Sequence, residues 1–266
     1  MIVIDRSTEI IVPAGYSEYE ICADHAVDLR FRASAGCEVF LKVTKAGSIR
    51  LHTVSDNGAA VTYLIWNEVP GAVVFNETHE VYGNTKLSVA YGEVDQGESV
   101  RTATVELMEE GAEADVSSAT LAAVEKSYHL KVTSRAPHTN GNMRNYAVIL
   151  KDGRFLMDAA GAIEKGARVS ESHQTSRALC FDDTMAATII PALLIDENDV
   201  KASHAASVGR VDEEQLYYLQ SRGLSINDCM RLISTGYLMP ITDTISDERL
   251  RETLKKELEE KIAAIC

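Results

Sequence analysis

From the start of the chain to about residue 205, short runs alternate between apolar and polar residues. The alternation is plain in Ile49-Arg50-Leu51, in Leu87-Ser88-Val89-Ala90-Tyr91 and in Val105-Glu106-Leu107. Tyr146-Ala147-Val148-Ile149-Leu150 is a more continuous apolar run. A period of two in short, β-branched and aromatic segments predicts strands. Turn signals separate them: Asp56-Asn57-Gly58, Gln96-Gly97, Glu110-Gly111, Asn140-Gly141, Asp152-Gly153 and Lys165-Gly166. From Gly141 the turn glycines fall 12 and 13 residues apart, and Asp182-Asp183 and Asp196-Glu197-Asn198 continue that beat. Such spacing suits a sandwich, a barrel or a β-helix. Small residues recur on the strands, as in Ala159-Ala160-Gly161-Ala162, Ala186-Ala187 and Ala205-Ala206. They fit the narrow interior of a solenoid, but periodicity alone leaves the three architectures open.

The pattern changes near Gly209, and a helical tail is predicted from Asp212 onward. The first segment, from Asp212 to Gln220, has an acidic first turn, and Gly223 ends it. Ser225 with Asp228 three residues on resembles a capping box, and Ile226, Cys229, Met230 and Ile233 mark one apolar face. Gly236 is expected to close this second helix. After Pro240, Ser246 is the expected cap of a third helix, in which Leu250, Leu254, Leu258 and Ile262 recur every four residues. Glu252 with Lys256 and Glu257 with Lys261 are spaced for i, i+4 pairs. The chain therefore divides into a β-rich body over 1–205 and a small helical part over 206–266.

A length of 266 residues with 45% apolar and 25% charged residues is that of an ordinary globular protein with ample core. The net charge of -14 argues against nucleic acid or anionic lipid as the main partner, since both need a basic footprint. No apolar run is long enough to span a bilayer, and the start has no secretory pattern, so a cytoplasmic location is expected. The five cysteines are odd in number and widely spaced, which makes a disulfide framework improbable. No phosphate loop, dinucleotide turn, zincin motif or nucleophile elbow is present. Cys22 and His25 supply two metal-ligand types, fewer than a zinc site needs. The histidines form no visible set of nucleophile, base and orienter. A β-helix enzyme acting on carbohydrate is still possible in principle, because such enzymes gather carboxylates from scattered rungs.

One stretch is far more specific. Asp199-Val200-Lys201-Ala202-Ser203-His204-Ala205-Ala206-Ser207-Val208-Gly209-Arg210, running on to Gly223, resembles the signature of the SufB/SufD family of the SUF iron–sulfur cluster assembly system. Its Ser-His-x-Ala-x-Val-Gly form is similar to the SufD branch, and Pro191-Ala192-Leu193-Leu194-Ile195 resembles the strand that precedes the signature. His138 and Gly161 stand where weaker family marks fall. The resemblance implies a mainly β fold: a right-handed parallel β-helix core with a small C-terminal α-helical domain. It implies a scaffold subunit and not an enzyme, working with a SufB-type subunit and a SufC-type ABC ATPase, or pairing with itself through the β-helix. No cofactor is expected to be tightly bound, with iron or an Fe–S cluster held transiently. His204 falls on the family histidine implicated in cluster assembly, as a transient metal ligand or orienting base. The position two before it, a cysteine in many relatives, is Ala202, and Cys180 on the preceding rung is the candidate substitute. The ATPase-facing region falls on Glu213, Glu214, Gln215, Leu216, Tyr217, Tyr218 and Arg222. Family members often carry an N-terminal helical region, whereas this chain starts with strand-like Ile2-Val3-Ile4. Ala202 also keeps open an adaptor that retained ATPase docking and lost the cluster role.

Overall fold

A computed structural model describes residues 1–150, 152–181 and 186–265. The turn read at Asp182-Asp183 and the cysteine at 266 lie outside the described residues. The body is a parallel β-solenoid. Its strands run from β1 (Ile2–Ile4) and β2 (Thr8–Ile11) to β16 (Ala186–Ile195) and β17 (Val200–Arg210). Odd-numbered strands form one parallel sheet of nine and even-numbered strands a second of eight, so each rung gives one strand to each sheet. The 12–13-residue beat is thus about half a rung, but Asn140-Gly141 is not a turn: it opens β13 (Asn140–Ile149), where a Cβ on Gly141 would collide with Val132. The spacing between stacked positions grows along the chain, from 22 residues between Gly15 and Cys37 to 32 between Arg154 and Ala186.

Parallel pairing without register slip stacks like-facing side chains into columns. One inward column of the nine-stranded sheet runs Val39, Tyr63, Val89, Val116, Met143, Gln174, His204. Rings stack inside the early rungs, with Tyr19 5.4 Å from Phe31 and Phe31 6.2 Å from Tyr63 between centroids. Turns between strands put Asn57 (φ 61°) and Gly111 (φ 75°) in the left-handed region, where Asn and Gly are tolerated.

The last strand carries the chain to Arg210, so residues 206–210 belong to the β-body and not to the helical part. The ladder holds them there: Cys180 stacks on Arg210, and the Val211 N–H still donates to the Cys180 carbonyl at 3.1 Å. Helix α1 (Glu213–Ser221) starts on Asp212, whose carboxylate accepts the Glu214 N–H, and Gly223 (φ 93°) follows it. Helix α2 (Ile226–Leu238) has the capping box of Ser225 and Asp228. Ile226 faces solvent, while Cys229 is buried. The helix does not stop at Gly236. It runs on to Leu238, whose burial against the body offsets the roughly 1 kcal/mol cost of an internal glycine.

A 3-10 turn (Met239–Thr244) leads to α3 (Glu248–Ile265). The α3 cap is Asp247, which accepts the Leu250 N–H at 2.8 Å; Ser246 instead gives its N–H and hydroxyl to Glu38. Leu250, Leu254, Leu258 and Ile262 pack on the outer face of the nine-stranded sheet, against Phe40, Leu64, Trp66 and Leu121. Each such burial is worth about 2 kcal/mol before entropy. The expected i, i+4 pairs do not form, because two of their members turn to the sheet. Glu257 meets Lys42 at 3.5 Å and Lys261 meets Glu68 at 3.6 Å, while Lys256 pairs with Glu260. The helical tail and the body therefore share one core.

Candidate functional site

Two surfaces and one interior cluster bear on function. The first surface is the last rung. Among the described residues no strand pairs with the second edge of β17, and all of it beyond Val200 is exposed. His204 stacks on Gln174 of β15 (Ser170–Cys180), which is buried and donates to the Ala192 carbonyl at 2.7 Å. The imidazole thus sits at the end of an inward column with no further rung above it. Across the interior, Ile189, Pro191 and Leu193 continue the inward rows of Met157, Ala159 and Gly161. Pro191 is tolerated because β16 is an edge strand of its sheet. A Cβ on Gly161 would collide with the Ser172 hydroxyl, so the close approach of the two sheets requires glycine there.

Ala202 stacks on Ser172, with no thiol at that point. Cys180 is on the preceding rung, but it stacks on Arg210, six positions along from the Gln174–His204 pair. At about 3.3 Å per residue that is roughly 20 Å. Burial also pushes the Cys180 thiol above its ordinary value. The fold does not bring Cys180 and His204 together within one chain. His138 is at a turn with φ 56°, 3.9 Å from Glu110. Cys22 is exposed, and no group of three or more metal-ligating side chains occurs among the described residues.

The second surface is α1 with the start of α2. No residue of α1 is buried. Tyr217 and Tyr218 are 75% and 56% exposed, and Ile226 and Leu232 of α2 are exposed as well. Glu213, Glu214 and Gln215 are exposed, Leu216 is half-buried, and the Arg222 guanidinium lies over the Tyr218 ring at 5.0 Å. Clustered exposed aromatics rimmed by charge mark an interaction surface.

The interior cluster was not legible in the sequence. It spans β8 (Val73–Val81), β9 (Lys86–Glu93), β10 (Ser99–Leu107) and β12 (Glu125–Ser134). Arg101 donates to Glu77 and, at 2.6 Å, to Glu93. Its guanidinium lies between the rings of Phe75 (3.9 Å) and Tyr91 (4.2 Å). Lys126 donates to Asp95 at 2.9 Å and stands 3.6 Å from Glu93. His79 bridges Thr53 (2.8 Å) and Glu77 (3.3 Å). All of these groups are buried. Three acidic side chains thus meet Arg101 and Lys126. Burial and the neighbouring Glu93 charge push Asp95 up to about 6. Burial acts to raise Glu93 as well, but Arg101 and Lys126 overcome it and hold Glu93 below the usual carboxylate range.

A carbohydrate-acting site needs a proton-donating carboxyl in a cleft. Among the described residues the carboxyls pushed up are Asp95, sealed in the interior, and Glu257, paired under α3. The acidic groove of about 700 Å³ along the turns has other occupants: Arg32 pairs with Asp56 at 2.8 Å, and the Tyr82 hydroxyl donates to Glu80. Among the described residues no helix is long and apolar enough to cross a membrane.

Comparison with known proteins agrees with this geometry. Residues 32–237 match the family model described as SUF system FeS cluster assembly, SufBD core domain. The chain is 29% identical over 214 residues to the iron-sulfur cluster assembly protein SufD of Bacillus subtilis, covering 79% of this chain and 49% of that protein. It is 26% identical over 123 residues to SufD of Escherichia coli, covering 46% of this chain and 29% of that one. A SufBD family protein of Mycobacterium tuberculosis is 33% identical over 118 residues, covering 44% of this chain and 14% of the relative. The chain thus spans about half, or less, of the length of the curated relatives it matches. A parallel solenoid, a Ser-His-x-Ala-x-Val-Gly last strand and a family match over most of the chain lead to one conclusion: the chain belongs to the SufB/SufD family of the SUF iron–sulfur cluster assembly system and is SufD-like.

Proposed function

We propose that this chain is a non-enzymatic, SufD-like scaffold subunit that supports iron–sulfur cluster assembly in the cytoplasm, together with a SufB-type subunit and a SufC-type ABC ATPase. The observation that carries the proposal is the open last rung, with His204 at the end of an inward column. An unpaired parallel edge is a template for another strand, and a SufB-type core or a second copy of this chain extends the sheet there. His204 then faces the junction, where a neutral imidazole is a suitable transient ligand for iron delivered as cargo. Cys180 is too far from His204 to share that iron within one chain, so His204 carries the role. The ATPase docks on α1 through Tyr217, Tyr218 and Arg222, with Glu213, Glu214, Gln215 and Leu216 around them.

Truncation after Gly209 is unsuited to test docking, because it would strip α3 from Phe40, Leu64 and Trp66. Tyr217→Ala with Tyr218→Ala changes exposed side chains and leaves the core alone. Co-purification with the SufC-type ATPase should fall at least tenfold in the double variant while its melting temperature holds. Equal recovery of the ATPase would remove α1 from the proposed interface. The adaptor reading, favoured by Ala202 facing Ser172, is separated by His204→Ala: an adaptor keeps full function in that variant.

A further inference from the structure

On the outward face of the same rung, facing away from the interior, a second chemical group is assembled. His173 and Ser203 stack in register on β15 and β17. The Ser203 Oγ is 2.7 Å from His173 Nδ1. The other ring nitrogen, Nε2, is 3.5 Å from Glu171 Oε2, and the second oxygen of Glu171 accepts from Lys201 Nζ at 2.7 Å. Hydroxyl, imidazole and carboxylate therefore form a chain, with an ammonium at its far end. Lys201 and His173 hold the Glu171 carboxyl below its usual range, so it remains an anion able to orient the ring. Nucleophile and base within hydrogen-bond reach, and the base in turn held by a third group, is the arrangement that activates a serine. The serine at 207, on the same face, stacks on Arg177 and has no imidazole opposite it.

Beside this chain is a small cavity of about 90 Å³, lined by Val169, Ser170, Glu171, Asp199, Val200 and Lys201. Lys201 lies two residues from Ser203 on the same face, about 7 Å along the strand. Val169, on the cavity wall, is β-branched yet has φ 58°, and it is exposed. A β-branched residue in the left-handed region is strained, and such strain gathers at functional sites.

We propose that Ser203, His173 and Glu171 form an acyl-accepting site that takes a short acyl group from an activated ester. Ser203 Oγ attacks the ester carbonyl carbon while His173 takes the hydroxyl proton. The new bond is Oγ–C, and the bond broken joins the carbonyl carbon to the leaving oxygen, which departs with its electron pair and receives the proton from His173. Glu171 is a positioning residue that acts through His173.

The probe is p-nitrophenyl acetate with the full chain, followed by peptide mass spectrometry of acetylated serines. Ser203 should be acetylated at least tenfold faster than Ser207. His173→Gln should slow Ser203 acetylation about a hundredfold, the usual size of a general-base contribution. Glu171→Gln should slow it less, and Glu171→Asp should recover most of the rate, while the melting temperature stays constant in each variant. Acetylation of Ser203 no faster than that of Ser207 would overturn the proposal. So would a Ser203 rate unchanged by His173→Gln, since it would reflect exposure alone.

Discussion

The middle rungs and the last rung use the same inward columns for opposite ends. In the middle, Glu77, Glu93, Asp95, Arg101 and Lys126 are buried and meet one another inside the solenoid. At the end, His204 occupies the column of Val89, Val116 and Met143, yet β17 leaves it exposed because stacking stops there. A buried polar group is bound to its partners by the cost of losing them. A polar group on an uncovered rung has no such obligation and remains available to a partner or an ion. Position along the solenoid, more than residue type, separates structural chemistry from available chemistry.

The most forceful way to break this contrast is Arg101→Met. It leaves Glu77 and Glu93 buried without their shared cation, and truncating one side of a buried ion network typically costs about 3–5 kcal/mol. Urea unfolding of the purified variant should show a loss of that size. A loss under about 1 kcal/mol would mean that the cluster does not hold the middle rungs.

A gentler test is pH. The folded Asp95 value of about 6 lies above the ordinary aspartate value, so its neutral form favours the fold. That contribution is complete below about pH 4 and is lost as pH rises through 6, a difference of about 3 kcal/mol at most. Glu93 works in the other direction: its folded value is depressed, and its contribution is lost as the solution becomes more acidic than the ordinary carboxylate range. The urea midpoint should therefore be highest near pH 4 and fall toward pH 7, and Asp95→Asn should flatten that fall. A midpoint rising steadily from pH 5 to 7 in the native chain would contradict the charge count.

The contrast also explains what could be read from the sequence. Alternating strands, turns such as Asn57-Gly58 and Glu110-Gly111, the Ser225–Asp228 capping box and the leucine face of α3 are local patterns and are realised, whereas Asn140-Gly141 opens a strand. Arg101 was hidden because alternation misleads there. In Ser99-Val100-Arg101-Thr102 the apolar Val100 faces out, 41% exposed, and the arginine faces in. Its partner Glu77 is 24 residues away, and the Lys126–Asp95 bond spans 31, one rung in each case. The pairing of Ser203 with His173 spans 30 residues and was hidden for the same reason. A motif search sees neighbours in the chain, whereas a solenoid makes neighbours of residues one rung apart. His204 was legible through its strand signature, not through any partner. The cap at Asp247 and the turning of Glu257 and Lys261 toward the sheet could not be read locally, since Glu38, Lys42 and Glu68 draw those groups away.

The smallest effect on stability is expected from His204→Ala, and the largest on function. An exposed side chain on an uncovered rung should change the unfolding free energy by no more than about 0.5 kcal/mol. The direct measurement is iron–sulfur cluster assembly reconstituted with the SufB-type and SufC-type partners, run beside urea unfolding of the same two proteins. Cluster formation at least tenfold lower in His204→Ala, with an unchanged urea midpoint, is the predicted result. Full cluster formation by that variant, or a midpoint lowered as far as in Arg101→Met, would contradict the account.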